Sequence, residues 1–228
     1  MSSLVAAELS LKMTMRLEVI GHPGSGKTYL CARMNDAAAG SKGIKCIDPR
    51  ETWKRDGLYG RLHLSFRWPL FTILLYLTSL TSHGCRLSHL KLIYSVQKRL
   101  NGLCSEDSSS NWSVRLFDRG PVHGLYEALL GVRTSRVSRL LLKVVVGIIV
   151  DHVDGFIHLE ATREQCVSAL EARVSARQLS ALDTSFDWYS EVVKCVKSEC
   201  AAKDKLFLEL PRNSRAVEKV TTWLQSEL

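Results

Sequence analysis

The sequence lacks an apolar run long enough to cross a bilayer. Its most apolar stretch starts at Trp68 and covers about 15 residues before the polar pair Ser82-His83, whereas a transmembrane helix needs roughly 20. We expect this stretch to form a buried helix, and peripheral contact with a membrane surface is the alternative. Residues 1–13 also lack the charged start and apolar core of a signal peptide. We therefore predict no transmembrane segment, and we interpret residues 1–13 as a lead-in to the first strand.

Cysteine pairs with metal-ligand spacing are missing too. The chain has seven cysteines, an odd number, and none of them forms a C-x-x-C pair. Several lie in apolar patterns typical of helices or strands. We therefore predict reduced, mostly buried thiols in a cytoplasmic protein, and no zinc site.

Motifs that define several nucleotide-dependent classes are also absent. No N-K-x-D or T-K-x-D stretch is present for guanine, and no usable D-x-x-G follows a strand, which argues against a GTPase. No Asp-Glu pair ends a hydrophobic strand, which argues against an AAA-type motor. The net charge is +8, but no recognition motif accompanies it, so we expect no nucleic-acid partner.

The clearest signal that is present is the stretch Gly21–Thr28, which reads GHPGSGKT. It follows the apolar run Leu17–Ile20 and precedes a helical pattern, and its spacing is that of a phosphate-binding P-loop (Walker A). Glycines let backbone N–H groups approach phosphate oxygens, and the helix N-terminus points at the same anion. Lys27 is predicted to reach the β- and γ-phosphates, and the Thr28 hydroxyl to ligate Mg²⁺. The predicted nucleotide-binding residues are Gly21, Pro23, Gly24, Ser25, Gly26, Lys27 and Thr28.

Strand and helix patterns alternate along the chain, which predicts an α/β domain with a parallel sheet covered on both faces. Residues 136–152 are ambiguous, because their β-branched run fits a strand as well as a helix. Thr162 and Asn213 are predicted to cap the helices that come after them. The expected strands are Leu17–Ile20, Ile44–Ile47, Trp112–Phe117, Gly155–Glu160 and Lys205–Leu210.

Residues 50–110 depart from this alternation. Two helical patterns, 61–82 and 87–103, are separated by Ser82-His83-Gly84. Between Arg50 and Leu100 nine Lys or Arg stand against two acidic residues, a net +7 that is most of the excess charge. This charge fits an anionic substrate or partner and a solvated face equally well.

Acidic and basic residues follow the second and third predicted strands. Because ligands gather at the carboxyl ends of parallel strands, Asp48 and Arg50 are placed where a substrate could lie. Asp48 equally fits a turn before Pro49. Asp118 could hold the metal's water shell or take a proton from an attacking hydroxyl, and Arg119 could hold an anionic group.

Taken together, these motifs resemble the P-loop kinases of the nucleoside and nucleoside-monophosphate kinase group, closest in layout to thymidylate kinase-like proteins. The resemblance is carried by Gly21–Thr28, by Asp48-Pro49, by Phe117-Asp118-Arg119 and by residues 156–173, which read FIHLEATREQCVSALEAR. It covers nearly the whole chain except about 50–110. The P-loop is specific for nucleotide phosphates, and the other three motifs are individually weak but occur in the right order.

The resemblance implies ATP-dependent phosphoryl transfer to a small-molecule acceptor, with ATP and Mg²⁺ as cofactors. It implies one three-layer domain with a five-stranded parallel sheet in the order 2-3-1-4-5. Residues 50–110 would be a helical insertion on the acceptor side, and about 173–185 would be a lid. A homodimer is compatible with this layout. The implied roles are catalysis for Lys27, Asp118, Arg173 and Arg177, metal binding for Thr28 and Asp118, and acceptor binding for Asp48, Arg50 and Arg119.

The chain departs from the family pattern only on the acceptor side. Ile47 stands where an Arg is usual, Glu51-Thr52 replaces a Gly pair, and Gly120 comes after the Asp-Arg motif where an aromatic residue or Ser is commoner. The acceptor therefore need not be a thymidine nucleotide, and a nucleoside, another nucleotide or a sugar-type hydroxyl also fits. The alternative hypothesis is a regulatory NTPase that binds a protein or membrane surface through the basic, apolar segment 61–100.

Overall fold

The computed structural model describes residues 14–37, 43–47, 87–104, 113–128, 136–171, 176–213 and 215–227, together with the isolated positions 73 and 77. The predicted helix 61–82 lies outside these residues apart from Ile73 and Leu77, which are helical. The second predicted helix of the basic segment is present as Leu87–Cys104.

Five parallel strands form one sheet in the order β2-β3-β1-β4-β5, as the resemblance implied. The P-loop strand β1 lies in the middle, with Val19 in register with Asp118 of β3 and Gly21 in register with Leu159 of β4. The carboxyl ends of these three strands therefore meet at one edge of the sheet. The strands are β1 Met15–Gly21, β2 Ile44–Ile47, β3 Val114–Asp118, β4 Gly155–Glu160 and β5 Leu206–Pro211.

Seven helices are found in the described ranges, and none of them combines the length and hydropathy that a bilayer crossing requires. Thr162 begins α5 with a capping box, since its Oγ1 accepts from Gln165 N at 3.3 Å and Gln165 Oε1 accepts from Thr162 N at 3.0 Å. Asn213 Oδ1 accepts from Arg215 N at 3.1 Å ahead of the last helix. The helices are α1 Lys27–Ala37, α2 Leu87–Cys104, α3 Pro121–Ala128, α4 Arg136–Asp151, α5 Arg163–Glu171, α6 Ala176–Ala202 and α7 Ala216–Glu227.

The ambiguous segment 136–152 is a helix, α4. Its buried positions, among them Leu142, Val145, Val146 and Ile149, recur three and four residues apart. That spacing places them on one face of a helix, whereas a strand would bury every second residue. Packing against the sheet therefore overrides the β-branched composition.

Two apolar layers enclose the sheet. Leu17 and Val19 of β1 face the side covered by α1 and α7, while Ile20 faces the larger layer formed by α2, α3, α4 and α6. Glu18 belongs by alternation to the same face as Ile20, yet it is a fully buried carboxylic acid. Its surroundings form part of the site described below.

Candidate active site

The P-loop joins the end of β1 to the start of α1, and two of its glycines have backbone angles that other residues rarely adopt. Gly24 has φ 82° and Gly26 has φ 98°. A Cβ at Gly24 would lie 2.6 Å from the carbonyl oxygen of Cys166 in α5. The loop therefore owes its shape both to its left-handed turns and to the close approach of α5.

Lys27 is buried and turned back onto its own loop. Its Nζ donates to the carbonyl oxygens of Gly21 at 2.5 Å and His22 at 2.9 Å. Burial lowers the pKa of Lys27 to about 8, although the nearby Asp118 carboxylate works in the other direction. At neutral pH the amine is still mostly protonated, and the carbonyl oxygens of Gly21 and His22 hold it in this position.

Thr28 and Asp118 meet across the gap between α1 and β3. The exposed Thr28 Oγ1 donates to Asp118 Oδ2 at 2.8 Å. The second oxygen, Asp118 Oδ1, is buried and has no hydrogen-bond partner among the residues described. A hydroxyl next to a carboxylate with a spare buried oxygen is a donor set that suits a hard cation such as Mg²⁺.

Arg119 comes directly after Asp118 and adopts φ 62°, in the left-handed region. This conformation costs energy in a residue that has a Cβ, and such outliers are enriched where a site needs a particular side-chain direction. The side chain is half-buried. The turn therefore presents Arg119 beside Asp118 at the edge of the sheet where the P-loop lies.

Glu18 of β1, which we did not predict as a site residue, packs against Gly120, the residue after Arg119. Its carboxylate is fully buried and accepts hydrogen bonds from Val122 N and His123 N, both at 3.1 Å, in the first turn of α3. Burial raises the pKa of Glu18 to about 7, against these hydrogen bonds and the charges of Arg99 and Lys27. A charged residue inside an apolar strand run was the only sequence signal for it.

A second buried polar group joins α2 to α3. Arg99 Nη2 donates to Glu127 Oε2 at 2.6 Å, and His123 Nε2 lies 3.3 Å from Glu127 Oε1. Although burial opposes the shift, the His123 hydrogen bond and the Arg99 charge bring the pKa of Glu127 down to about 2. Burial lowers the pKa of His123 to about 4, so this imidazole is neutral at pH 7. The basic segment therefore places at least one of its cations beside the end of β3.

His22 of the P-loop stacks on α6. Its ring lies 3.5 Å from the Phe186 ring centroid with an interplanar angle of 4°, and 4.2 Å from that of Tyr189. Burial, followed by the charge of Lys27, lowers the pKa of His22 to about 3. A neutral imidazole thus connects the phosphate-binding loop to the long helix that also contains Arg177.

A cavity of about 400 Å³ opens on the other side of the P-loop, over β4 and β5. Ser25 and Gly26 line it on the P-loop side, Tyr29 on α1, and Leu159 at the end of β4. Arg212 and Asn213 line it after β5, and Ala216 and Val217 line it at the start of α7. Since β1 lies between β3 and β4, this cavity and the Asp118-Arg119 turn flank the P-loop on opposite sides.

Some of the predicted site residues cannot be placed. Asp48, Arg50 and Arg173 lie outside the described residues, and Arg177 is in α6 with a side chain that is likewise outside them. The helix α6 begins at Ala176, so most of the predicted lid segment 173–185 is helical. The roles given to these residues stay predictions.

Comparisons with known proteins give matches at the level of structure alone. No protein-family model matches the chain, and no curated protein matches it in sequence. A deoxyadenosine kinase from M. mycoides with bound dATP matches with a TM-score of 0.50 at 12% identity, over 92% of this chain and 99% of that one. The same type of kinase with the products dCMP and a flexible dCDP matches with a TM-score of 0.43 at 11% identity, over 94% and 100%. At 12% identity the first likeness shows the fold, and the chain has the fold of a P-loop kinase.

Proposed function

We propose that this P-loop kinase fold carries out ATP-dependent phosphoryl transfer to a small-molecule acceptor, with nucleosides as the first class to test. The observation that carries the proposal is the two-sided arrangement around the P-loop. The cavity over β4 and β5 lies on one side, and the Asp118-Arg119 turn lies on the other. An enzyme that transfers a group from one substrate to another needs such a pair of adjoining sites, whereas hydrolysis needs only the donor site.

On the donor side, the proposal places the base of ATP in the cavity and its phosphates on the P-loop. The cavity has apolar walls from Leu159, Ala216 and Val217 and polar groups at its rim, which suits a nucleobase. Lys27 would leave the two backbone carbonyls that it now bonds and contact phosphate oxygens instead. Lys27 would then donate to charged phosphate oxygens instead of neutral carbonyl oxygens, and hydrogen bonds to charged oxygens are stronger.

Thr28 and Asp118 are proposed to hold Mg²⁺. When bound, this ion neutralises charge that develops on the transferring phosphoryl group. The contact between Thr28 Oγ1 and Asp118 Oδ2 favours metal binding for Asp118 over the alternative of a general base, because the carboxylate is already engaged with the predicted metal ligand. Asp118 Oδ1 is the oxygen that remains for the ion or its water shell.

On the acceptor side, Arg119 is proposed to orient the acceptor beside the P-loop. Positive charge next to the transferring group, from Lys27 and Arg119, supports phosphoryl transfer in which the protein supplies positioning and electrostatics. The roles proposed for Arg173 and Arg177 as lid cations, and for Asp48 and Arg50 as acceptor contacts, follow from the family resemblance alone.

The test is ATP consumption by the purified chain with Mg²⁺, against a panel of nucleosides, nucleoside monophosphates and sugars. We expect turnover to depend on one acceptor class and to fall at least ~100-fold in Lys27→Ala and in Asp118→Asn. Lys194→Ala and Asp36→Asn change the same residue types at exposed positions and should match the wild type. The kinase proposal would be refuted if ATP were consumed equally fast without any acceptor and if Asp118→Asn left this rate unchanged.

A further inference from the structure

The Glu18 side chain packs against Gly120, next to the turn that contains Asp118 and Arg119. Glu18 and Gly120 are far apart in sequence, on β1 and after β3. Glu18 is fully buried, and Gly120 is buried as well. Gly120 is one of the positions at which the chain departs from the family pattern, so its local environment bears on the acceptor side.

Space, rather than backbone conformation, favours glycine at position 120. Gly120 is not among the residues with positive φ, so its backbone angles suit other residues. A Cβ there would lie 2.5 Å from Cδ of Glu18 and 2.8 Å from its Oε1. The Glu18 carboxyl group therefore fills the place where a side chain at position 120 would stand.

The same carboxylate also holds the start of α3, which comes directly after the turn. Its two oxygens accept from Val122 N and His123 N, which are donors without a partner inside the helix. The positive end of the α3 dipole favours an anion at this point. The turn thus connects Asp118 at the end of β3 to the first residues of α3, and it packs against the Glu18 carboxyl group of β1.

Arg119 has little freedom between these fixed points. Its left-handed conformation persists only if its surroundings impose it. Gly120, packed on the Glu18 carboxylate, is the residue next to it along the chain. A shift of Gly120 away from β1 would therefore change the direction in which Arg119 leaves the backbone.

We propose that Glu18 is a positioning residue, which packs against Gly120 and caps α3 so that Arg119 points to the acceptor. This inference rests on the proposed function. Lys27 of α1, Arg99 of α2 and Tyr189 of α6 interact electrostatically with Glu18, and α3 contributes the backbone N–H groups of Val122 and His123. Glu18 acts through the turn and does not itself contact the acceptor.

The test is a double-mutant cycle of Glu18→Ala and Gly120→Ala in the full chain. The measured quantities are kcat, the KM for the acceptor and the KM for ATP. In the wild-type background, Gly120→Ala should raise the acceptor KM or lower kcat by ~10- to 100-fold, since displacements near 1 Å have effects of this size. Its KM for ATP should change less than about threefold, because the cavity proposed to hold the ATP base lies on the opposite side of the P-loop from Gly120. In the Glu18→Ala background, where the carboxyl group is gone, Gly120→Ala should have an effect of less than about threefold.

Two controls separate positioning from general destabilisation. Gly102→Ala adds a Cβ that meets nothing within 4 Å, and it should leave all kinetic constants unchanged. Val220→Ala weakens the opposite core layer, and it should lower stability without changing the ratio of acceptor KM to ATP KM. A wild type that phosphorylates no acceptor refutes the proposed function. An active wild type in which the Glu18 and Gly120 effects are additive, or in which Gly120→Ala raises both KM values equally, refutes the positioning role.

Discussion

Replacing Glu18 by Gln should change the pH dependence of stability by an amount that the structure sets. Burial raises the pKa of this carboxyl group from 4.5 to about 7. Between these values the folded protein keeps a proton that the unfolded chain releases, so the wild type loses stability as pH rises through this window. The glutamine variant has no such titration, and its relative stability should therefore increase over the same range.

The size of this change in relative stability follows from the pKa shift of Glu18. Each pKa unit corresponds to about 1.4 kcal/mol, and pH 5 to 8 spans most of the window, so the unfolding free energy of Glu18→Gln relative to wild type should rise by about 2 to 3 kcal/mol. Loss of one of the two hydrogen bonds to α3 adds a pH-independent cost of about 1 kcal/mol. Above pH 7 the difference should level off.

The assay is urea denaturation of both proteins at several pH values, with the difference at each pH as the result. Taking a difference removes most of the titration of groups elsewhere, which both chains share. Glu164→Gln is the matched control. The pKa of Glu164 is lowered by hydrogen bonds at the start of α5, so its carboxylate is ionised in both states above pH 5 and its difference curve should be flat. A flat curve for Glu18→Gln, or one that falls with pH, would refute the assignment of Glu18 as a desolvated carboxyl group.

Three further substitutions test the P-loop side. Thr28→Val removes the hydroxyl bonded to Asp118 and should raise the Mg²⁺ concentration for half-maximal turnover by ~10-fold or more, with Thr28→Ser restoring it. Gly24→Ala places a Cβ 2.6 Å from an α5 carbonyl oxygen at φ 82° and should lower the urea-unfolding free energy by about 1–3 kcal/mol. Phe186→Ala opens the stack on His22 to water, so the lowered pKa of this imidazole should rise toward its usual value in an NMR titration, and an unchanged pKa would count against burial as the cause.

Most of the fold could be predicted because its signals are local. Strand runs such as Ile44–Ile47 and Gly155–Glu160 have the bounds that we predicted, since turn residues and caps mark their ends. The P-loop spacing fixed which strand precedes α1. The sheet order came from the family resemblance, and the structure confirms it. Among the segments that the structure describes, 136–152 is the one that needed tertiary packing to choose between helix and strand.

The acceptor side could be predicted less well because it depends on contacts between distant residues. Glu18 and Gly120 each look unusual in the sequence, but nothing local indicates that one fills the space of the other. Arg99 is one of nine cations in a basic stretch, and its burial and its bond to Glu127 distinguish it from a solvated charge. The P-loop motif places no restriction on the residue at position 22, and the stacking partner of His22, Phe186, lies far along the chain in α6.

The most direct test of the central claim is the fate of the γ-phosphoryl group of labelled ATP. With the acceptor identified from the panel, the wild-type chain should place most of the label on that acceptor and little in inorganic phosphate. Asp118→Asn should abolish this transfer while ATP binding, measured separately, persists. Label that appears only in inorganic phosphate, at the same rate with and without every acceptor, would contradict the account and favour a nucleotide hydrolase.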